Sequence, residues 1–161
     1  MTLSRRAILG ATALAPLALA GCATFTGKTP TQIAAQVLSD VNLVASGLAN
    51  AMPGLAASKA VPAATLARAQ AYVAQVQAAA AQMQGVVTKG AAQPIVTQIE
   101  TDVNALAGLL AGLPLPPPYA QVFQAAVVLL PVIEVSVGLA VPAGASHAMT
   151  PAEARLVLAA H

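Results

Sequence analysis

The chain has 161 residues, of which 58% are hydrophobic, 7% charged and 2% aromatic, and its formal net charge is +2. Alanine is the most abundant residue, and it is the best helix former and a poor strand former, so the composition favours an all-α fold. With so few basic and aromatic residues, the chain offers no basic stripe or stacking platform, which excludes nucleic acid as a partner.

The first 21 residues have the three zones of an export signal. A basic start precedes an apolar run from Ala7 to Ala20, and small residues end the segment. The run is too short for a comfortable membrane span, and Pro16 interrupts it. We therefore expect residues 1–21 to be removed, which would leave a mature chain with five basic and five acidic residues.

The basic start contains an ordered set of residues, namely Ser4, Arg5, Arg6, Ile8 and Leu9. This set resembles the twin-arginine export signal, with Ile8 where phenylalanine is usual. The resemblance implies that the chain folds before export. The alternative is a general secretory signal that happens to begin with two arginines.

The apolar run ends in Leu19, Ala20, Gly21 and Cys22, the last being the single cysteine of the chain. This ending resembles the lipobox of bacterial lipoprotein precursors. The resemblance implies cleavage before Cys22, attachment of three fatty chains to it, and a membrane anchor facing the periplasm. Ala23 in place of aspartate implies the outer membrane. A buried or incidental thiol is the alternative for Cys22.

The rest of the chain is predicted to be a lipidated tether, residues 22–28, followed by a helical domain, residues 29–161. Thr29-Pro30-Thr31-Gln32 is a capping box that begins helix one, and Met52-Pro53-Gly54 should end it. Helix two begins near Pro62 and ends at Thr88-Lys89-Gly90. Its apolar residues form a heptad stripe, the helix-two seam: Leu66, Ala69, Val73, Val76, Ala80, Met83 and Val87.

Helix three is predicted from about Pro94 to Leu113, and residues 114–118, Pro-Leu-Pro-Pro-Pro, should form a short polyproline rod. Helix four, from Pro118 to about Leu139, is the most apolar part of the mature chain, and Pro131 should kink it. A second capping box, Thr150-Pro151-Ala152-Glu153, begins a short last helix that ends near His161. Matched helix lengths predict an up-down four-helix bundle with a short C-terminal helix.

Helices one and three align at an offset of 62 residues. The matching pairs are Ile33/Ile95, Gln36/Gln98, Asp40/Asp102, Val41/Val103 and Asn42/Asn104. Either a duplicated hairpin or coincidence between alanine-rich amphipathic helices explains the match, since helices two and four do not align.

Three carboxylates are candidate site residues. Asp40 and Asp102 could meet if helices one and three pack side by side, and paired carboxylates can serve acid–base chemistry or metal binding. They lack the Glu-x-x-His partners of metal sites in bundles, so we expect two solvated aspartates. Glu134 shares a polar strip with Gln124, which favours plain exposure over a buried carboxylate with a raised pKa.

The remaining candidates favour structural roles. His147 and His161 have no metal-ligand partner at suitable spacing and should be solvated. Tyr72 and Tyr119 should pack against helices or loops, and the small residues Gly108 and Gly112 should mark a close helix contact. The chain has no catalytic or phosphate-binding motif, so we expect no enzyme, no metal and no cofactor.

These observations predict a lipid-anchored, non-enzymatic module that binds a protein partner through the helix-two seam or the Pro-rich rod. The alternative is that helix four, residues 118–139, enters a bilayer, against which stand Glu134, Gln124 and Pro131. A carrier of an apolar small molecule would instead need a cavity between the helices.

Overall fold

A computed structural model of the chain describes residues 28–86, 88–140 and 149–161, and all the regular structure in these ranges is α-helical. The helices are α1 (Pro30–Ser58), α2 (Ala63–Met83), α3 (Lys89–Leu110), α4 (Pro117–Val137) and α5 (Pro151–Ala159). The predicted all-α fold with a short C-terminal helix is confirmed. The predicted signal peptide and Cys22 lie outside the described residues.

The first four helices form a ring in which each packs against the next and α4 packs against α1. Contacts between opposite ends show that neighbours run antiparallel. Gln93, near the start of α3, donates a hydrogen bond of 3.1 Å to the carbonyl of Val137 at the end of α4. Gly54, near the end of α1, lies against Tyr119 near the start of α4. This is an up-down bundle, and α5 packs on both α1 and α4.

The core consists of aliphatic side chains from the inner faces of the helices. Its largest fully buried members include Leu48, Leu55, Ile99, Leu106, Leu129 and Ile133. Buried alanines and Gly47 keep the helices close together. At Gly47 an added Cβ would lie 2.6 Å from the Cδ2 atom of Leu158, so the missing side chain lets α5 pack directly on α1.

Both predicted capping boxes are present. The Thr29 amide donates to the side chain of Gln32 over 2.8 Å, and the Thr150 amide donates to the carboxylate of Glu153 over 2.7 Å. The second bond and the Thr150 hydroxyl hold the pKa of Glu153 below its ordinary value. The starts of α1 and α5 are therefore set by local sequence.

The predicted end of α1 at residues 52–54 is wrong, because the helix continues through Pro53 to Ser58. A proline inside a helix costs about 3 kcal/mol, since it removes one backbone hydrogen bond and crowds the preceding turn. Met52 and Leu55 are both buried beside it, and burial of two such side chains contributes roughly 3–6 kcal/mol. Lys59 then ends the helix in the left-handed region at φ 54°.

The predicted boundaries between helices two, three and four also needed correction. α2 ends at Met83 rather than at residues 88–90, and Thr88 caps the start of α3, its hydroxyl accepting from the Ala91 amide over 3.3 Å. Pro94 therefore lies within α3 instead of beginning it. α3 ends at Leu110 rather than Leu113, so residues 111–116 form the non-helical connection, and the last two prolines of the predicted rod belong to the first turn of α4.

Candidate functional site

Three of the five carboxylates in the chain are buried, which is the main departure from the sequence predictions. The exposed fraction is 2% for Asp40, 3% for Asp102 and 5% for Glu134. The expectation that these three side chains are solvated is therefore wrong. Because a buried charge is costly unless it is paired, the surroundings of each carboxylate decide what it does.

Asp40 holds α5 against the bundle. The Nε atom of Arg155 donates to its Oδ1 atom and the Nη2 atom to its Oδ2 atom, each over 2.7 Å. Gln36, one turn earlier in α1, donates to the same Oδ1 atom over 3.0 Å. Hydrogen bonding to Asp40 raises the pKa of Arg155, so the guanidinium stays charged. This two-bond geometry is the strongest form of ion pair available to these side chains.

Asp102 repeats only part of this arrangement. Gln98, one turn earlier in α3, donates to its Oδ2 atom over 2.9 Å, as Gln36 does to Asp40. Arg155 has no counterpart beside Asp102 among the described residues. α1 and α3 lie at opposite corners of the ring, so the two aspartates do not form the side-by-side carboxylate pair considered from the sequence.

Glu134 lies on α4, which is covered by α1, α3 and α5. Burial, and secondarily the charge of Glu100, raises the pKa of Glu134 above its ordinary value. The polar strip predicted on helix four thus contains exposed Gln124 but a buried Glu134. Because its pKa is raised in the folded protein, Glu134 makes the free energy of unfolding depend on pH.

We expect Glu134→Gln to stabilise the protein at pH 7 by about 1 kcal/mol, because it removes a poorly solvated charge. Below pH 4.5 the carboxyl of Glu134 is protonated in both the folded and the unfolded protein, and the folded protein is then most stable relative to the unfolded one. This stability is lost as the pH rises through the raised pKa of the folded state, because the carboxylate must then be charged while buried. Urea denaturation between pH 4 and pH 8 measures the effect. Parallel stability curves for the two proteins over this pH range would contradict the prediction.

Two apolar pockets lie toward opposite ends of the bundle. The proximal pocket, about 300 Å³, is beside the start of α1 and is lined by Pro30, Thr31, Ile33, Ala34, Ala35, Val37, Leu38, Met83, Val86, Thr88, Lys89, Ala92, Ser136 and Val137. The distal pocket, about 400 Å³, lies between α3 and α4 and is lined by Ala107, Leu110, Ala111, Leu115, Ala120, Phe123, Gln124, Val127, Val128 and Met149. Cavities of this size, invisible in the sequence, can hold small apolar groups.

The other predicted side chains have mixed outcomes. Tyr119 packs against Gly54, and His161 is exposed, both as expected. The predicted close contact at Gly108 and Gly112 is wrong, because a Cβ added at either position would meet no other atom within 4 Å. His147 lies outside the described residues. Within them, no three His, Cys, Asp or Glu side chains are grouped to hold a metal ion.

Most of the helix-two seam is not available to a partner. Leu66 is half-buried and packs against the core, and Val87 lies outside the described residues. Ala69, Val73, Val76, Ala80 and Met83 are all buried in the bundle, where α2 packs against α1 and α3. The heptad spacing of these residues therefore corresponds to packing in the core of the bundle. In the Pro-rich segment, by contrast, residues 114, 117 and 118 are exposed.

The length and composition of α4 would allow it to cross a membrane. In its most apolar stretch of 18 residues, however, 61% of the positions are buried inside the bundle. The core helix of a water-soluble protein has the same properties, so α4 gives only weak support for membrane insertion.

Comparison of the chain with protein-family models, with curated proteins and with solved structures found no match.

Proposed function

We propose that the chain is a lipoprotein of the bacterial cell envelope, anchored through acylated Cys22 and facing the periplasm, most simply at the outer membrane. The observation that carries this proposal is the sequence Leu19-Ala20-Gly21-Cys22 after a basic and an apolar zone. Several fatty chains give durable attachment, because each buried methylene contributes about 0.8 kcal/mol.

The tether would keep the bundle close to the membrane. Residues 23–28 separate Cys22 from the cap of α1 and span at most about 20 Å when extended. The start of α1 is therefore the membrane-proximal end of the domain in this proposal, and the Pro-rich connection after α3 lies at the opposite end of the bundle.

The bundle itself is proposed to be a non-enzymatic module that binds another protein. Support comes from the use of its charged groups in the fold: Asp40 and Arg155 hold α5, and Glu153 caps it. The exposed prolines after α3 and two exposed apolar side chains, Leu156 (73%) and Val135 (42%), are surfaces that a partner could bind. Of these prolines, Pro114 is in the non-helical connection, whereas Pro117 and Pro118 are in the first turn of α4; their exposed rings can contact an aromatic-lined groove of a partner.

Expression of the full-length chain in a lipoprotein-processing bacterium tests the anchor. We expect the protein in the membrane fraction, with a mass that lacks residues 1–21 and includes acyl chains on Cys22. Cys22→Ser should abolish acylation and release the exported protein from the membrane. Ala23→Ser is the matched control and should remain acylated and membrane-bound, because it introduces the same side chain beside an intact cysteine.

Two results would contradict this proposal in different ways. An unmodified thiol at Cys22 in the native protein, with residues 1–21 still attached, would remove the lipid anchor. A Cys22→Ser protein that stays in the membrane after an alkaline wash would favour the alternative in which α4 enters the bilayer, at the cost of opening the bundle.

A further inference from the structure

The proximal pocket lies at the end of the bundle that is nearest to Cys22 along the chain. We propose that it receives one of the fatty acyl chains attached to Cys22 of the same molecule. This inference rests on the lipid anchor proposed above. It adds that one of the three acyl chains binds in the pocket of the protein instead of in the membrane.

The walls of the pocket suit an alkyl chain. They consist largely of aliphatic side chains contributed by four helices and the α2–α3 connection, including Ile33, Val37, Leu38, Met83, Ala92 and Val137. Ser136 also lines the pocket, but its hydroxyl already donates to the carbonyl of Val132. A hydrocarbon in the pocket would therefore gain dispersion contacts with the walls and would not leave the Ser136 hydroxyl without a hydrogen bond.

The reach of the tether selects this pocket over the distal one. Pro30 lines the pocket and is eight residues after Cys22, so the connecting chain spans at most about 26 Å. The distal pocket lies beyond, toward the far end of a bundle whose α1 has 29 residues and a length of about 44 Å. An acyl chain leaving Cys22 therefore meets the proximal pocket first.

Volume and energetics limit the pocket to part of the anchor. A volume of about 300 Å³ is at the lower bound for small-ligand sites and suits a single chain rather than three. The bilayer and the pocket are both apolar, so moving one chain between them changes the exposed hydrocarbon area little. Two chains can remain in the membrane while the third fixes the start of α1 against its surface.

A photoreactive anchor tests this proposal in the full chain. Cells expressing the protein are fed a fatty acid with a diazirine at its far end, membranes are irradiated, and crosslinked peptides are mapped by mass spectrometry. We expect crosslinks within one molecule to residues 33–38 and 83–92. Mixing with a ¹⁵N-labelled copy distinguishes these from crosslinks between molecules.

Two exposed alanines provide matched variants. Ala34→Phe fills the proximal pocket and should lower the crosslink yield severalfold, whereas Ala111→Phe at the distal pocket should leave it unchanged. Circular dichroism verifies that both variants keep the helical fold. Equal yields in the two variants would overturn the assignment to this pocket.

The source of the chain is tested separately. In vesicles that contain a diazirine phospholipid and the protein with ordinary acyl chains, labelling of residues 33–38 would show that a bilayer lipid is the occupant, and would overturn the proposal. Acylated Cys22 with crosslinks only to lipids or to other surfaces would overturn this inference alone. An unacylated Cys22 would overturn both this inference and the proposed function.

Discussion

Asp40→Ala is expected to lower the free energy of unfolding by about 2–3 kcal/mol. The substitution removes both bonds to Arg155 and leaves the guanidinium beside α1 without its carboxylate. Loss of one partner from a fully buried ion pair costs roughly 3–5 kcal/mol, and we place this case lower because the Arg155 side chain is 26% exposed and reaches water. Urea denaturation at pH 7, followed by circular dichroism, gives the measurement.

Asp102→Ala is the matched control, because it removes an equally buried aspartate that has a glutamine partner but no arginine. We expect its cost to be smaller by at least about 1 kcal/mol. In a double-mutant cycle, Arg155→Met should cost little more once Asp40 is alanine, because the two side chains act as a pair. Equal costs for the two aspartates, or additive effects in the cycle, would show that the pair does not hold α5.

The ion pair also shows what sequence patterns miss. Asp40 and Arg155 are 115 residues apart, and Arg155 is on a helix of only nine residues. Gln36 and Asp40 belong to the 62-residue repeat of helices one and three, but Arg155 lies outside that repeat, and the spacing of three or four residues within a helix cannot relate it to Asp40. The capping boxes were predictable because each is complete within four residues.

The predictions of an exposed Glu134 and of a helix end at Pro53 were wrong because packing between helices outweighs the preference of the local sequence. On an isolated helix, the strip with Gln124 and Glu134 is the polar side, but α4 packs against α1, α3 and α5, and Glu134 is buried in the bundle. At Pro53 the local signal for a helix end competes with burial of the residues around it. In both cases the deciding contacts come from other helices, which no single segment of sequence contains.

The two apolar pockets also depend on contacts between helices and were not predictable from sequence for the same reason. Their walls combine side chains from separate helices, so neither volume follows from the periodicity of any one helix. Small residues such as Ala34 and Ala111 line the pockets, but in the sequence they indicate only that the segment forms a helix. The bundle was therefore predictable from helical periodicity, whereas the pockets became visible only in the assembled fold.

Alanine at position 54 is expected to destabilise the protein by about 1–3 kcal/mol, the opposite of its usual effect in a helix. A glycine-to-alanine change inside a helix normally stabilises by about 0.5–1 kcal/mol, because it reduces the freedom of the unfolded chain. At Gly54, however, the new Cβ would lie 2.8 Å from the Cζ atom and 2.9 Å from the Cε1 atom of Tyr119. The rigid ring must move, and it belongs to the contact that joins α1 to α4.

Gly108→Ala provides the matched control, since Gly108 is also within a helix and an added Cβ there meets nothing within 4 Å. It should stabilise by about 0.5–1 kcal/mol. Removing the ring with Tyr119→Ala should abolish the penalty of Gly54→Ala, whereas Tyr119→Phe should relieve only part of it because the ring carbons remain. If Gly54→Ala and Gly108→Ala stabilised the protein equally in thermal denaturation, the close contact between α1 and α4 would not limit the packing of the bundle.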